Sequence, residues 1–337
     1  MRIIIFTAII FTVTLLSCKQ TTNKVSNLSN EKQSLLTIDS LTTLIGENPD
    51  NATLYAQRSK LYAGKGEITN AVRDMIFANK TDSLNPEYYI VLSDLYLSLG
   101  KSEVVNDLLL KANRLIPDNK DILYRLGKLY FYIQDYKNAI KYLNKAIEQD
   151  DYFAEAWFVK GLVYSEINKK DVAIKSFQFA TERNPDYYDA YIQLGLLYSE
   201  KQDSLALSYY DNALKIKSDS YDALYGKAIF YQNEGNVKQA EKNYRYILKN
   251  ISDSLPEIYF NLGYINMVDL EDYKTAVSKF DSAIFIKPNY FQAVYNKAFC
   301  YEKLKYFEKA KYFYNQTLKI NPDYSLAKEG LKRVNKD

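Results

Sequence analysis

The chain contains no histidine, so it lacks the side chain that most often serves as a general base near neutral pH and as a metal ligand. Its two cysteines, Cys18 and Cys300, lie far apart in segments of different character, which predicts no disulfide framework, zinc site or redox pair. Cys300, between Phe299 and Tyr301, reads as a small buried apolar residue. Acidic residues recur at a regular place: Glu87, Asp121, Glu155, Asp189, Asp222 and Glu257. Such a row could form a rail for a basic ligand, or it could serve the local purpose of opposing a helix dipole in a first turn. No nucleophile stands in a recognisable pattern with a base, and Gly64 and Gly66 read as turn residues, not as a phosphate loop. The triplets Asn51–Thr53 and Asn315–Thr317 follow from an Asn-rich composition. These residue types predict a protein that is not an enzyme and has no cofactor and no metal.

The remaining question is what elements carry these residues. Gly and Pro are scarce, at 11 and 7, while Tyr reaches 33, and no long alternating β-branched run occurs, so a helical chain is expected. Lys plus Arg, 44, nearly balances Asp plus Glu, 41, and a net charge of +3 gives no basic face for nucleic acid. At the N-terminus a single charge, Arg2, precedes an apolar run from Ile3 to Leu16 that is too short for a comfortable bilayer span. Its end, Leu15-Leu16-Ser17-Cys18, resembles the lipobox of bacterial lipoprotein signals. That resemblance implies cleavage after Ser17 and lipidation of Cys18. With Lys19 in place of the aspartate that retains lipoproteins in the inner membrane, it further implies the outer membrane. Residues 18–33, rich in Thr, Ser, Asn, Lys and Gln, read as a flexible tether that would reach on the order of 45 Å when extended. Leu35, Ile38, Leu41, Leu44 and Ile45 then fall at helical spacing, predicting a capping helix over 34–49.

A period of about 34 residues follows. Tyr62, Tyr96, Tyr130, Tyr164, Tyr198 and Tyr231 form a ladder, with Asn266 and Tyr301 in the next two places. Three residues before each stands a small side chain: Ser59, Ser93, Gly127, Gly161, Gly195, Ala228, Gly263 and Ala298. A second small position reads Ala71, Val105, Ala139, Ala173, Ala206, Ala240, Ala276 and Ala310, and a third has Ala180 among its members. In the most complete copy, Trp157, Gly161, Tyr164, Ala173, Phe177, Ala180 and Pro185 fall in the pattern W-x3-G-x2-Y, A-x3-F-x2-A, P. This resembles the tetratricopeptide repeat (TPR), a helix-turn-helix unit. Small residues would let two helices approach, rings would fill the space beside them, and Pro185 would end the second helix.

The resemblance implies an all-α fold, a right-handed TPR superhelix (α-solenoid) of about eight repeats with capping helices. The boundaries are a signal peptide 1–17, the tether 18–33, the N-terminal cap 34–49, repeats over 52–324 and a C-terminal cap 325–337. The repeats are 52–85, 86–119, 120–153, 154–187, 188–220, 221–255, 256–290 and 291–324. In such repeats the first helix lines the concave face, which places Tyr124, Phe131, Phe158, Leu162, Ile192, Leu196, Tyr225, Ile229, Phe260, Tyr264, Tyr295 and Phe299 as partner-binding residues. Packing against the neighbouring repeat is the other reading of these side chains. The family's carboxylate clamp needs Lys and Asn where Tyr225 and Ile229 stand, so no clamp is expected although Asn261 and Asn296 match its asparagine. The implied function is a lipid-anchored scaffold of the bacterial envelope, periplasmic or surface-facing, that holds a protein or peptide segment of another envelope protein and contacts the membrane through the lipid on Cys18. A part in outer-membrane assembly, secretion or secretin escort is the alternative, and binding of glycan or peptidoglycan by the many tyrosines is a third. Nucleic acid is not expected as a partner, and the sequence leaves the oligomeric state open.

Overall fold

The computed structural model describes residues 36–335, so the signal peptide, Cys18 and the tether lie outside the described residues. Among those residues every regular element is a helix, and the chain divides into two compact units, one ending at Lys101 and the other beginning at Ser102. That boundary falls inside the segment 86–119. None of the eighteen helices is long and apolar enough to cross a membrane.

The first unit holds α1 (Ile38–Glu47), α2 (Ala52–Gly64), α3 (Ile68–Thr81) and α4 (Pro86–Ser98). Thr37 and Ser40 form a capping box that starts α1, and Asn51 and Asn85 cap α2 and α4 by accepting from Thr53 and Glu87 amides. Leu41, Ala71, Met75, Ala78 and Tyr89 are fully buried. Asp74 is 2% exposed, and a buried carboxylate must be paired. Arg58 supplies the pair through Nε at 2.7 Å and Nη2 at 3.0 Å, and Arg58 Nη1 also donates to Thr42 Oγ1 at 3.0 Å, so one guanidinium ties α1, α2 and α3.

The second unit opens with α5 (Ser102–Leu115) and continues with α6 (Lys120–Tyr132), α7 (Tyr136–Gln149), α8 (Ala154–Glu166), α9 (Lys170–Arg183), α10 (Tyr188–Glu200) and α11 (Leu205–Ile216). It goes on through α12 (Tyr221–Asn233), α13 (Val237–Asn250), α14 (Pro256–Val268), α15 (Tyr273–Ile286), α16 (Phe291–Lys303), α17 (Phe307–Ile320) and α18 (Ser325–Val334). The even-numbered helix and the one after it pack as antiparallel pairs, from α6 with α7 to α16 with α17, and each pair packs on the next. Counted along the sequence, the eighteen helices are two more than eight repeats require, α1 before them and α18 after them. In the second unit neighbouring first helices also touch, α6 with α8, α10 with α12, α14 with α16 and α16 with α18, whereas no pair of second helices packs as closely. The first helices thus form the inner, concave side of this unit.

The tyrosine ladder has a backbone cause. Two residues past the end of each first helix, three past α14, stands a residue with positive φ: Gly66, Gly100, Gln134, Asn168, Gln202, Gly235, Glu271 and Lys305. The amide after it returns to the ladder residue's carbonyl, as Asp135 to Tyr130 at 2.9 Å, Lys169 to Tyr164 at 2.8 Å and Tyr306 to Tyr301 at 2.9 Å. This is the six-to-one bond of a Schellman stop, which satisfies an orphan carbonyl. Where Asn266 replaces tyrosine the turn is one residue longer, and Asp272 donates to Asn266 at 2.8 Å. Ladder rings stack on the second helix, Tyr130 on Tyr142 at 5.5 Å and Tyr301 on Phe313 at 5.6 Å. The small residues are small for want of room: a Cβ on Gly161 would lie 2.5 Å from Phe177, and Ala173 and Ala180 are fully buried.

Candidate functional site

The inner side of the second unit carries two rows of the sequence-predicted residues, and the structure gives them different work. The first row, nearer each helix N-terminus, is Tyr124, Phe158, Ile192, Tyr225, Phe260 and Tyr295. Four of its rings are clamped by the aromatic N-cap residue of the next repeat. Tyr124 meets Phe153 at 5.0 Å, Phe158 meets Tyr187 at 5.0 Å, Phe260 meets Tyr290 at 5.1 Å and Tyr295 meets Tyr324 at 5.1 Å. Three of them press on their own second helix as well, against Phe177, Phe280 and Tyr314. Burial pushes the Tyr124 phenol up to about 12, with Glu155 adding to the rise. These rings are mortar between repeats.

Ile192 departs from the expectation of a groove residue. It is 6% exposed and packs with Ala206, Tyr210, Ala213, Ala223 and Phe230, so it belongs to the core. The N-cap that follows it is Ser220, which shares a 2.6 Å hydrogen bond with Tyr188, and no ring stands over it.

The second row, one turn further along, is Leu162, Leu196, Ile229, Tyr264 and Phe299. It occupies the same place in α8, α10, α12, α14 and α16. Leu196 is 38% exposed and the other four are half-buried. Phe131 sits in a different register and packs on Tyr132 at 5.7 Å. Lys303 Nζ lies 5.2 Å from the Phe299 ring, a cation–π contact at the end of the row.

Beside these rows stand the carboxylates. Glu87 pairs with Lys60 at 2.6 Å in the first unit. In the second unit Glu155, Asp189, Asp222 and Glu257 take part in no ion pair among the described residues. Burial pushes the Asp189 carboxyl up and the Asp222 charge adds to it, while Lys217 opposes. Tyrosines partner two of the four: Tyr188 donates to Asp222 Oδ2 at 3.3 Å and Tyr221 to Glu257 Oε1 at 2.9 Å. Sequence reasoning missed Tyr188, Tyr221 and Tyr290 as inner-face residues. The available signal was a tyrosine opening both α10 and α12, with a carboxylate near the start of the following first helix. Of the two asparagines noted for a clamp, Asn261 donates to the Tyr225 hydroxyl at 3.3 Å and Asn296 is buried. Burial pushes the Cys300 thiol up to about 12, which removes it as a nucleophile near neutral pH.

Three segments, residues 121–152, 154–187 and 291–324, match the tetratricopeptide repeat family model, so the chain carries repeats of this kind. Over 78 residues, 23% of the chain, it is 30% identical to the UDP-N-acetylglucosamine–peptide N-acetylglucosaminyltransferase of Giardia intestinalis, and it spans 5% of the length of that curated relative. Among solved structures, the C-terminal part of a TPR repeat-containing protein from Cytophaga hutchinsonii superposes with a TM-score of 0.63 at 16% identity, covering 73% of this chain and 99% of that one. A tetratricopeptide repeat protein from Parabacteroides merdae gives 0.52 at 18% identity, over 74% and 98% of the two chains. At these identities the likeness is one of fold: an all-α TPR solenoid, an architecture that typically serves as a non-catalytic scaffold for protein–protein interaction.

Proposed function

We propose that the protein is a lipid-anchored scaffold of the bacterial envelope that holds a segment of another envelope protein against the inner face of its second unit. The observation that carries this reading is the row Leu162, Leu196, Ile229, Tyr264 and Phe299. Five apolar side chains at one place of five successive first helices stay half-buried or exposed while every neighbouring small position is filled. A repeated apolar row on a rigid inner surface is suited to an extended or helical ligand. The anchor rests on the sequence: Arg2, the apolar run to Leu16 and Ser17-Cys18 support acylation of Cys18, with Lys19 favouring the outer membrane.

A photoreactive amino acid at Leu196 or Tyr264 should capture the same partner in intact cells. One at Phe285, 88% exposed on the second helix α15, should not. Equal capture at all three positions, or capture at Phe285 alone, would place the interface elsewhere. For the anchor, Cys18→Ala should abolish incorporation of a labelled fatty acid and release the chain from membranes, and unchanged labelling would refute acylation at Cys18.

A further inference from the structure

Charge is divided between the two sides of the second unit. The outer side is made of the second helices α7, α9, α11, α13, α15 and α17, which carry sixteen Lys and Arg against seven Asp and Glu. The inner side, α6, α8, α10, α12, α14 and α16, carries seven against eight. Ion pairing sharpens the contrast. Five of the seven outer carboxylates are matched by a cation: Asp171 by Lys201, Glu182 by Arg183, Asp211 by Lys227, Glu241 by Arg245 and Asp281 by Lys297. Of the outer cations only Lys170, Arg183 and Arg245 are paired among the described residues, so thirteen lysines stand against Glu148 and Glu308. The net charge of +3 conceals this excess, which the rest of the chain offsets.

The excess is densest on α13 and α15. At 3.6 residues per turn, Lys238, Lys242 and Lys249 form one stripe of α13, opposite the buried Ala240, Tyr244 and Ile247. The same places of α15 hold Lys274, Ser278 and Phe285, opposite the buried Ala276, Phe280 and Ala283. These six residues are exposed and outermost, and the carboxylates nearest them, Glu241 and Asp281, are those held by Arg245 and Lys297. Phe285 is 88% exposed, and Tyr312, in the middle place of the α17 stripe, is 57% exposed. Protruding rings among lysines with long apolar stems are the composition of a membrane interface. A nucleic acid is met by arginine forks, and both arginines of the outer helices are tied to carboxylates. Resting on the reading of the chain as lipid-anchored, we propose that the outer side of α13 and α15 lies on an anionic phospholipid leaflet. Lys238, Lys242, Lys249 and Lys274 meet the headgroups, and the Phe285 ring inserts among them. The inner row then faces away from the membrane, open to a protein partner.

The test uses the full chain and vesicles of phosphatidylcholine with or without phosphatidylglycerol. Ser278→Cys puts a thiol between Lys274 and Phe285, and Leu196→Cys puts one on the inner row. Each takes an environment-sensitive fluorophore, while the buried Cys300 stays unlabelled. Emission from position 278 should shift to the blue only with phosphatidylglycerol and revert at about 1 M salt, and position 196 should not respond. A lysine near an anionic surface strengthens binding about five-fold. Lys238→Gln, Lys242→Gln and Lys249→Gln together should therefore lower the ratio of shifted to unshifted emission about five-fold or more, with far-UV helical signal unchanged. An equal response without phosphatidylglycerol, an unaltered ratio in the triple variant, or a response at 196 instead of 278 overturns the proposal. So does a polyglutamate peptide that displaces the vesicles at equal charge, which would assign the lysines to an acidic protein. Flotation with phosphatidylcholine vesicles at about 1 M salt reports the anchor by itself, because charge is screened there. Chain that floats but gives no response at 278 on phosphatidylglycerol keeps the anchor and removes the lipid-facing side. Chain that fails to float removes the anchor, while a response at 278 on phosphatidylglycerol still supports the face.

Discussion

Tyr210 is held between two glycines, and this makes Gly226→Ala a sharp test of the packing. A Cβ at 226 would lie 2.4 Å from Tyr210 Cζ and 2.7 Å from its hydroxyl, while on the other side a Cβ at Gly195 would lie 2.5 Å from Cε1. Carbon–carbon contacts relax at about 3.5–4.0 Å, so α12 would have to move away by roughly 1 Å. The ring cannot yield, because Gly195 backs it and Ser199 bonds its hydroxyl at 3.3 Å. Two effects compete. Removing a helical glycine gains about 1 kcal/mol, and overpacking costs about 1–3 kcal/mol. With the ring pinned the second wins, and the expected net loss is up to about 2 kcal/mol. Gly46→Ala isolates the first effect, since nothing lies within 4 Å of a Cβ there, and it should stabilise α1 by up to about 1 kcal/mol. A stacked array opens locally, so the assay is native-state hydrogen exchange. Gly226→Ala should speed exchange in α11 and α12 about ten-fold, and Tyr210→Leu in that background should recover part of it, because Leu143 fills this place against Gly127. Slower exchange in Gly226→Ala would refute the reasoning.

Lys160 lies 4.6 Å from the Trp157 ring centroid and in no ion pair among the described residues, with burial lowering its proton affinity; Lys227 and Lys297, at the same place in their helices, meet Asp211 and Asp281 sixteen residues earlier, where the repeat before Lys160 has Asn144. Asn144→Asp should therefore stabilise the fold by about 0.5 kcal/mol, read as a higher urea midpoint, and a lower midpoint would contradict the register. Ala173→Leu should destabilise α8 and α9 by about 1–3 kcal/mol on a thermal melt. At Glu302 burial acts to raise the carboxyl, but Arg333, at 2.7 and 3.0 Å, and the Tyr314 hydroxyl hold it below its usual value. Its stabilisation is present above the unfolded value of about 4.3 and is lost as pH falls through the lower folded value, so the protection of α18 amides, referred to intrinsic exchange at the same pH, should fall on acidification in this window, less so in Glu302→Gln. In a Cys18→Ala background, Cys300 should resist a thiol reagent at pH 8 until the chain is denatured.

The period was readable because close helix approach demands small residues at fixed places, and Gly161, Ala173 and Ala180 stand against packed neighbours. Which inner residues are free was not readable. Both inner rows share the helical period, and whether a ring is clamped depends on the N-cap of the next repeat. Phe158 is held by Tyr187, 29 residues later, whereas Ile192 is followed by Ser220 and joins the core. Charge at Tyr124, Phe158 and Tyr225 would consequently loosen the stack as well as any interface, and Leu196 and Tyr264 are the cleaner probes. The division between Lys101 and Ser102 was equally hidden. Val105, the one departure from alanine in its series, lies just beyond it.

The tyrosine–glycine fit also bears on how such an array can change. Tyr210 projects toward the sixth residue of the following helix, Gly226, and Tyr314 toward Gly330 at the sixth residue of α18. After Phe177 the corresponding residue is Gln193, and after Tyr244 it is Asn261. Each repeat thus carries a key that its own successor accepts. Putting α10 in the place of α12 would set Tyr210, which Gly226 now leaves room for, against a glutamine, whereas excising 221–255 would set it against an asparagine, the pairing that Tyr244 already makes with Asn261. The repeats look alike in outline, yet their order is written into the joints, and a duplication or deletion is tolerated only where key and successor still match.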